Sequence, residues 1–397
     1  MLLYIKIQMR NRLREFLIAS LRHSRSEMEI SMEILQIGFI GFGLIGGSIA
    51  KALRAYRPQC HMIATSRSLS PLYQAQKDGV LDEVTDCVNE QFSGCDIIFI
   101  CTPVVTITKY FELLKPLIKS SCILTDVGSV KESIYTAAKN AGLENNFIGG
   151  HPMAGSEQSG YTSAHADLLC GAKYVITPSA HTSKEHLDAY VELVKDIKAV
   201  PIVMDPATHD YCAAAISHVP HIIAVSLVNM VRTSDNEEQN MKAFAAGGFK
   251  DITRIASSSP QMWQDICLAN SESIDYFLSH FEKQIENFRH MIAEKDGASI
   301  QDEFHTAGDY RDSIPAKKSS VIARSYDLFI NIDDRAGAIA TIATILSVNG
   351  ISIKNIGIIH NREYVDGVMK LELYKEDDEK KARELLIQNR YDIVDRD

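Results

Sequence analysis

Short apolar runs separated by stretches of helical period occupy the first half of the chain. Leu35 to Ile40, His61 to Thr65, Asp96 to Cys101, Ile123 to Thr125, Phe147 to Ile148, Lys173 to Thr177 and Val200 to Met204 read as strands. The run from Asp96 to Cys101 is apolar without alternation, as a strand covered on both faces must be. Pro71 to Lys77, Thr106 to Lys115 and Lys184 to Lys198 carry helical spacing between these runs. Strand, helix and loop alternating at this spacing predict an α/β domain with a doubly wound sheet over residues 34–205. From Pro206 the period changes. Asp210 to Val231, Glu237 to Phe244 and Ser271 to Ala293 are helical in spacing, which predicts an all-helical domain over 206–312. A polar, proline-containing linker follows at 313–324. Beyond it, Tyr326 to Ile332, Ser352 to Ile359, Val365 to Tyr374 and Tyr391 to Val394 read as strands, with helices at Ala338 to Leu346 and Glu376 to Gln388. The order β-α-β-β-α-β predicts a ferredoxin-like unit over 325–397.

Composition narrows the class. A chain of 397 residues fits two or three domains. Its net charge of −10 argues against a general binder of nucleic acid or acidic membrane, while leaving room for one cationic pocket around an anionic substrate. The eight cysteines form no C-x-x-C pair and several sit in apolar runs, which predicts a reduced, cytoplasmic protein. The most apolar stretch, Ala213 to Val231, is interrupted by Ser217, His218, Pro220, His221 and Asn229, so no membrane span is expected. Residues 1–33 are basic and amphipathic without a secretory core or cleavage site. They read as an N-terminal extension, either from a start assigned too early, with Met28 or Met32 as the true one, or as a surface helix.

The chemistry begins at the first strand. Gly41, Gly43 and Gly46 form G-x-G-x-x-G at its junction with a helix, with Leu44 and Ile45 in the opening turn. Such glycines allow a tight turn, close backbone approach to a pyrophosphate, and packing of helix on strand. The helix N-terminus then offers free N–H groups to the phosphates. The second strand ends at Ser66 and Arg67 rather than at the acid that bonds an NAD ribose. Two hydroxyls and a guanidinium suit a 2′-phosphate, which favours NADP slightly; the rival is Arg67 stacked on adenine with NAD in use. Thr102 and Pro103 end the third run, where the nicotinamide ribose would lie.

Two polar loops follow apolar runs, Asp126 to Lys131 and Gly149 to Gly155. Ligands sit beyond the carboxyl ends of parallel strands, so both loops border one crevice. Asp126 is a candidate cofactor contact there, and Ser129 and His151 stand at the reaction centre. No G-x-S-x-G elbow accompanies them, so the pair fits proton handling during hydride transfer. In the helical domain Ser217 and His221 are four apart, as are Lys250 and Arg254, and Trp263 is the single tryptophan. Each has a plainer reading: a hydrogen-bonded core histidine, or an Arg254–Asp251 pair. His209, His218 and His221 lie near one another, but no H-E-x-x-H or cysteine cluster accompanies them, and no metal is expected.

GFGLIGGS, DVGSVK, GGHPMAGSE, SHVPH and FKDITRIASS, in this order, resemble prephenate dehydrogenase, the NAD(P)-dependent family of tyrosine biosynthesis. The match runs from about Ile34 to Pro315. Asp333 to Ala338 and Asn349 to Ile353 resemble an ACT domain, a module that usually binds amino acids at dimer interfaces. The resemblance implies a Rossmann-type domain, a helical domain that pairs two subunits, and oxidative decarboxylation of prephenate to 4-hydroxyphenylpyruvate. It makes His151 the base, bonded with the substrate hydroxyl to Ser129, and gives Arg254 a substrate carboxylate. His221 falls at the pyruvyl or carboxylate end, with Ser217, Lys250, Glu157 and Trp263 ordering or lining the pocket. Tyrosine is implied as effector, with Arg335, Gly337, Asn349 and Gly350 as candidate contacts. Arogenate dehydrogenase and a non-catalytic tyrosine and dinucleotide sensor are the alternatives.

Overall fold

The computed structural model describes residues 33–155, 158–314, 326–332, 337–359 and 367–394. The expected N-terminal extension, the linker beyond Ile314, Glu157 and Arg335 lie outside them.

The first strand, β1 (Gln36–Ile40), leads into α1 (Leu44–Tyr56), and β2 (His61–Thr65) into α2 (Ser70–Lys77). A short β3 (Glu83–Thr85), β4 (Ile97–Ile100), α3 (Val104–Leu114), β5 (Ile123–Asp126) and α4 (Glu132–Asn140) follow. The five strands form a parallel sheet in the order β3-β2-β1-β4-β5, so the chain reverses direction across the sheet between β1 and β4. Alternation along β1 builds both faces. Ile37 and Phe39 enter one cluster with Ile49 and Leu53 of α1, while Ile40 enters another with Phe111 of α3 and Ile134 of α4. Phe39 stacks on Phe99 of β4 with ring centroids 5.4 Å apart. Burying side chains of this size contributes about 1.5–3 kcal/mol each.

A second, three-stranded sheet continues from the first through a single parallel bridge between Leu124 and Phe147. Its strands are β6 (Gly149–Pro152), β7 (Lys173–Thr177) and β8 (Val200–Val203), with α5 (Lys184–Asp196) between the last two. β6 runs antiparallel to β7, and β7 parallel to β8. The strand expected at Phe147 to Ile148 is thus only a bridge, and His151 lies within β6 rather than in a loop after it. Glycine permits this. A Cβ on Gly150 would stand 2.4 Å from Tyr190 Oη and 2.7 Å from the Asp126 carbonyl oxygen.

The helical region holds α6 (Pro206–Ala213), a π-turn at Ala214–His218, α7 (Val219–Ser234), α8 (Asn240–Phe244) and α9 (Gly247–Thr253). These are followed by α10 (Pro260–Ala269), α11 (Ser271–Ala293) and α12 (Gly297–Ser313). Pro220 cannot donate to the residue four before it, and the ladder slips just ahead of it: the Val219 N–H bonds to the Ala214 carbonyl. The buried core here is small, centred on Ala214, Val219 and Ile274. Large apolar side chains stay uncovered, including Ile216, Phe244, Ile252 and Leu268. The continuous helical run Pro206–Ser234 is long and apolar enough to cross a membrane by length and composition alone. Polar residues place it, since His209, Asp210 and His218 are buried against the rest of the fold.

The chain divides into two compact units, the second beginning at Ala307 within α12. By itself the second unit contains β9 (Tyr326–Ile332), α13 (Ala338–Val348), β10 (Ile353–Ile359), β11 (Gly367–Leu373), α14 (Glu376–Gln388) and β12 (Asp392–Val394). The strands make an antiparallel sheet ordered β10-β11-β9-β12 around a core of Leu328, Ile330, Ile342, Leu346, Met369, Leu371 and Leu386. This is the ferredoxin-like arrangement.

Candidate active site

The glycine-rich turn sits at the carboxyl end of the parallel sheet. Gly41 has φ +84°, and a Cβ there would lie 2.7 Å from the Cys101 carbonyl oxygen, so only glycine fits. Its N–H donates to the Thr65 carbonyl at 2.8 Å, which brings the turn beside Ser66 and the exposed Arg67. The space where a Gly43 side chain would project is open, and Gly43 caps α1 without a side-chain bond, leaving the first N–H groups of the helix available. Leu44 and Ile45 form that first turn, and Ile45 also packs on the core. At the end of β4, Thr102 Oγ1 is buried without a hydrogen-bond partner, next to Pro103 and within reach of the Gly41 turn. An open cradle, free helix N–H groups and an orphaned hydroxyl fit the pyrophosphate and ribose of a dinucleotide.

Asp126 does not face this crevice. It is fully buried and ion-paired with Lys131, and accepts from the N–H groups of Gly128 (2.8 Å) and Gly150 (3.2 Å). Lys131 Nζ also donates to the Gly150 carbonyl at 2.8 Å. The expected cofactor contact is therefore a pin that joins the loop after β5 to β6. Burial pulls the Lys131 ammonium below its ordinary pKa, against the opposing Asp126 carboxylate.

His151 is buried on β6, and its Nδ1 lies 2.8 Å from His209 Nε2. His209 Nδ1 in turn lies 2.7 Å from Asp210 Oδ1. The expected Ser129–His151 hydrogen bond is not formed, and the imidazole's inner nitrogen meets His209 of α6 instead. Burial holds the His151 pKa well below the usual imidazole range, and the neighbouring His209, Lys131 and His218 add to this. The half-buried Ser129 instead brings its backbone beside His218. His218 is buried, its Nδ1 lies 3.2 Å from Asn270 Nδ2, and its pKa falls to about 4, chiefly by desolvation.

The π-turn and α7 present the next group. His221 Nδ1 donates to the Ser217 carbonyl at 2.8 Å, so Ser217 meets its predicted neighbour through backbone rather than hydroxyl. The Trp263 indole stacks on His221 with centroids 4.0 Å apart, meets His218 edge-on at 6.0 Å, and keeps a buried Nε1 without a partner. Burial lowers the His221 pKa, opposed by the Ser217 bond, and the charge of Arg254 lowers it further. Arg254 and Lys250 are both exposed at this end of the helical region. The structure thus joins His151, Ser129, His221, Trp263 and Arg254 into one neighbourhood through His209 and His218.

Sequence reasoning gave no catalytic or binding role to His209, Asp210, Lys131, His218 or Asn270. The signal was present for two of them: a His-Asp doublet in the opening turn of an otherwise apolar helix.

A Rossmann crossover opening towards a neutral, buried imidazole defines a dinucleotide-dependent oxidoreductase. Comparison with known proteins narrows this. Residues 49–203 match the model of the prephenate dehydrogenase nucleotide-binding domain, and residues 205–306 that of the prephenate dehydrogenase dimerization domain. A prephenate dehydrogenase of Bacillus subtilis is 38% identical over 348 residues, covering 87% of this chain and 94% of that protein. The crystal structure of A. aeolicus prephenate dehydrogenase with hydroxyphenyl propionate and NAD+ superposes with a TM-score of 0.68 at 31% identity, over 72% of this chain and all of the other. Synechocystis arogenate dehydrogenase gives 0.65 at 28%, over 71% of this chain and all of the other. The chain belongs to the prephenate dehydrogenase family and is an NAD(P)-dependent oxidoreductase. The uncovered Ile216, Phe244, Ile252 and Leu268 all lie within the span matched to the dimerization domain.

Proposed function

We propose that this protein oxidises and decarboxylates prephenate to 4-hydroxyphenylpyruvate, with His151 as the general base. The observation that carries the reading is the buried His151 imidazole, held on its inner nitrogen by His209. Nε2 is the nitrogen left for the substrate's ring hydroxyl. The nicotinamide dinucleotide, when bound, supplies the hydride acceptor. As hydride leaves the carbon bearing the hydroxyl, His151 takes the hydroxyl proton and the new carbonyl forms. The opposite carboxylate departs as CO2, and its bonding pair makes the ring aromatic. The reaction has no net proton, so His151 returns its proton to the phenolate oxygen.

Ser129 positions the ring hydroxyl. Arg254 binds a substrate carboxylate as a fixed, planar cation, and His221, flat against Trp263, takes the pyruvyl end. Lys250 orders the same pocket. Ser66 and Arg67 beside the glycine turn, with no acid at the end of β2, favour NADP over NAD. In the second unit, Gly350 lines a cavity of about 710 Å³ with Ser352, Ile353, Tyr374, Lys375 and Asp378. Charges of both signs there suit a free amino acid, and tyrosine, made from this reaction's product, is the proposed effector of an ACT-type unit.

The likeness to an arogenate dehydrogenase supports a second reading, the same chemistry on the aminated substrate. Initial rates with prephenate and arogenate, each with NAD and NADP, decide between them. Turnover of prephenate with the higher kcat/KM for NADP is expected. Turnover of arogenate alone would replace the substrate, and a preference for NAD would reduce Arg67 to an adenine contact. Cofactor and tyrosine binding without any turnover would make the chain a sensor.

A further inference from the structure

We propose that His209 and Asp210 are positioning residues for the base: bonded in series behind His151, they hold its imidazole in the tautomer that leaves Nε2 bare. This rests on the assignment of His151 as base. The argument starts from the carboxylate, which can only accept. Asp210 Oδ1 accepts from the Lys131 N–H at 2.7 Å and Oδ2 from the Glu132 N–H at 2.9 Å. Both oxygens are fixed by backbone at the N-terminus of α4, so the carboxylate cannot turn. Asn270, just ahead of α11, donates from Nδ2 to the Asp210 backbone carbonyl at 2.8 Å and fastens the same residue.

His209 Nδ1, 2.7 Å from Oδ1, must therefore carry a proton. With that one proton on the His209 ring, Nε2 holds only a lone pair. The 2.8 Å contact with His151 needs one proton, and His151 Nδ1 supplies it. A neutral imidazole protonated on Nδ1 is bare at Nε2. The opposite tautomer would point an N–H at the substrate hydroxyl and could take no proton. His209 and Asp210 are each 2% exposed, so water does not compete for these bonds. After His151 takes the proton, the same series sets a carboxylate behind the new imidazolium. His151 lies on β6 and its two supports on α6, so the tautomer is fixed only where the two regions meet.

The tautomer can be read without turnover. In the full-length protein with 15N-labelled histidine near pH 7.5, the signal that disappears in His151→Asn should have a protonated Nδ1 and a bare Nε2. The reverse assignment would overturn the proposal. Kinetics give the second test. Gln at position 209 can accept the same N–H through Oε1, whereas Phe cannot. His209→Phe should lower kcat by about 10–100-fold, part of what a positioned base contributes, with KM for substrate and cofactor changed less than about twofold. His209→Gln should recover most of the loss. Full activity in His209→Phe, or equal loss in both variants, would overturn the positioning role. A wild-type kcat in His151→Asn would instead remove the base itself, and the nitrogen shifts keep those two failures apart.

Discussion

At the scale of single residues, the site is built to keep imidazoles neutral. His151→Asn removes the proton acceptor but keeps a polar side chain of similar reach. It should lower kcat by about 10²–10⁴-fold, the usual worth of a positioned base, with little change in KM; an undiminished kcat would exclude His151. The same burial has a consequence for stability. His151, His218 and His221 all have folded pKa values below that of the unfolded chain, near ~6.5. Below that pH the unfolded state binds protons that the folded state refuses, so stability is full above ~6.5 and falls on acidification. For His218 the loss extends down to about pH 4. Thermal melts at pH 7.5 and 5 should give a clearly lower Tm at pH 5, less so in His218→Leu if its neutral form is what the fold selects. A Tm independent of pH would contradict the burial of all three. His151 was legible in the sequence because it stands in a distinctive polar stretch just after an apolar run. His209 was not, because its partner lies 58 residues away and a histidine in an apolar helix ordinarily signals core.

At the scale of elements, the buried pair Lys131–Asp126 fastens the loop after β5 to β6. Lys131→Met would leave the Asp126 charge in a dry interior, a loss of about 3–5 kcal/mol. Denaturant unfolding of the variant should show a matching drop in midpoint, and the double change Asp126→Leu with Lys131→Met should recover part of it. An unshifted midpoint for the single variant would mean that the pair is not a structural pin. Four of the five strands of the parallel sheet were legible almost to the residue because their interiors are mostly apolar, as Ile97 to Ile100 of β4 illustrates. β6 was not, because Gly149 and Gly150 carry no apolar signal and are chosen for how closely the backbone approaches Tyr190 and Asp126. The short β3 was missed for a similar reason, since Glu83, Val84 and Thr85 are too few to set a period. The π-turn hid from helical spacing as well. Counting by fours correctly joined Ser217 to His221, but the extra residue per turn that carries His218 inward has no counterpart in an α-helical pattern.

At the scale of the whole molecule, the chain separates into a catalytic unit and a smaller one that holds its own core. Leu328, Ile330, Met369 and Leu371 pack within the second unit against Ile342, Leu346 and Leu386. The β-α-β-β-α-β order was legible because alternating strands and two helices of ordinary length carry it, whereas its effector contacts were not. Gly337 turns with φ +89° ahead of α13. Asn349 is used within the unit, donating to the Ile345 carbonyl and accepting from Lys381, which leaves only Gly350 of the described candidates at the cavity. The proposed control by tyrosine is therefore tested on the second unit as a whole rather than on one residue. If tyrosine acts through the second unit, deleting residues 325–397 should leave prephenate turnover within about threefold of the full chain and abolish its inhibition by tyrosine. Rates measured over a tyrosine series, with gel filtration to confirm that the shortened chain stays folded and dimeric, would read this directly. Inhibition that persists unchanged in the shortened enzyme would move the effector to the active site. There tyrosine, which shares the aromatic ring and the carboxylate-bearing side chain of the product, would act as a competitor for Arg254 and His221.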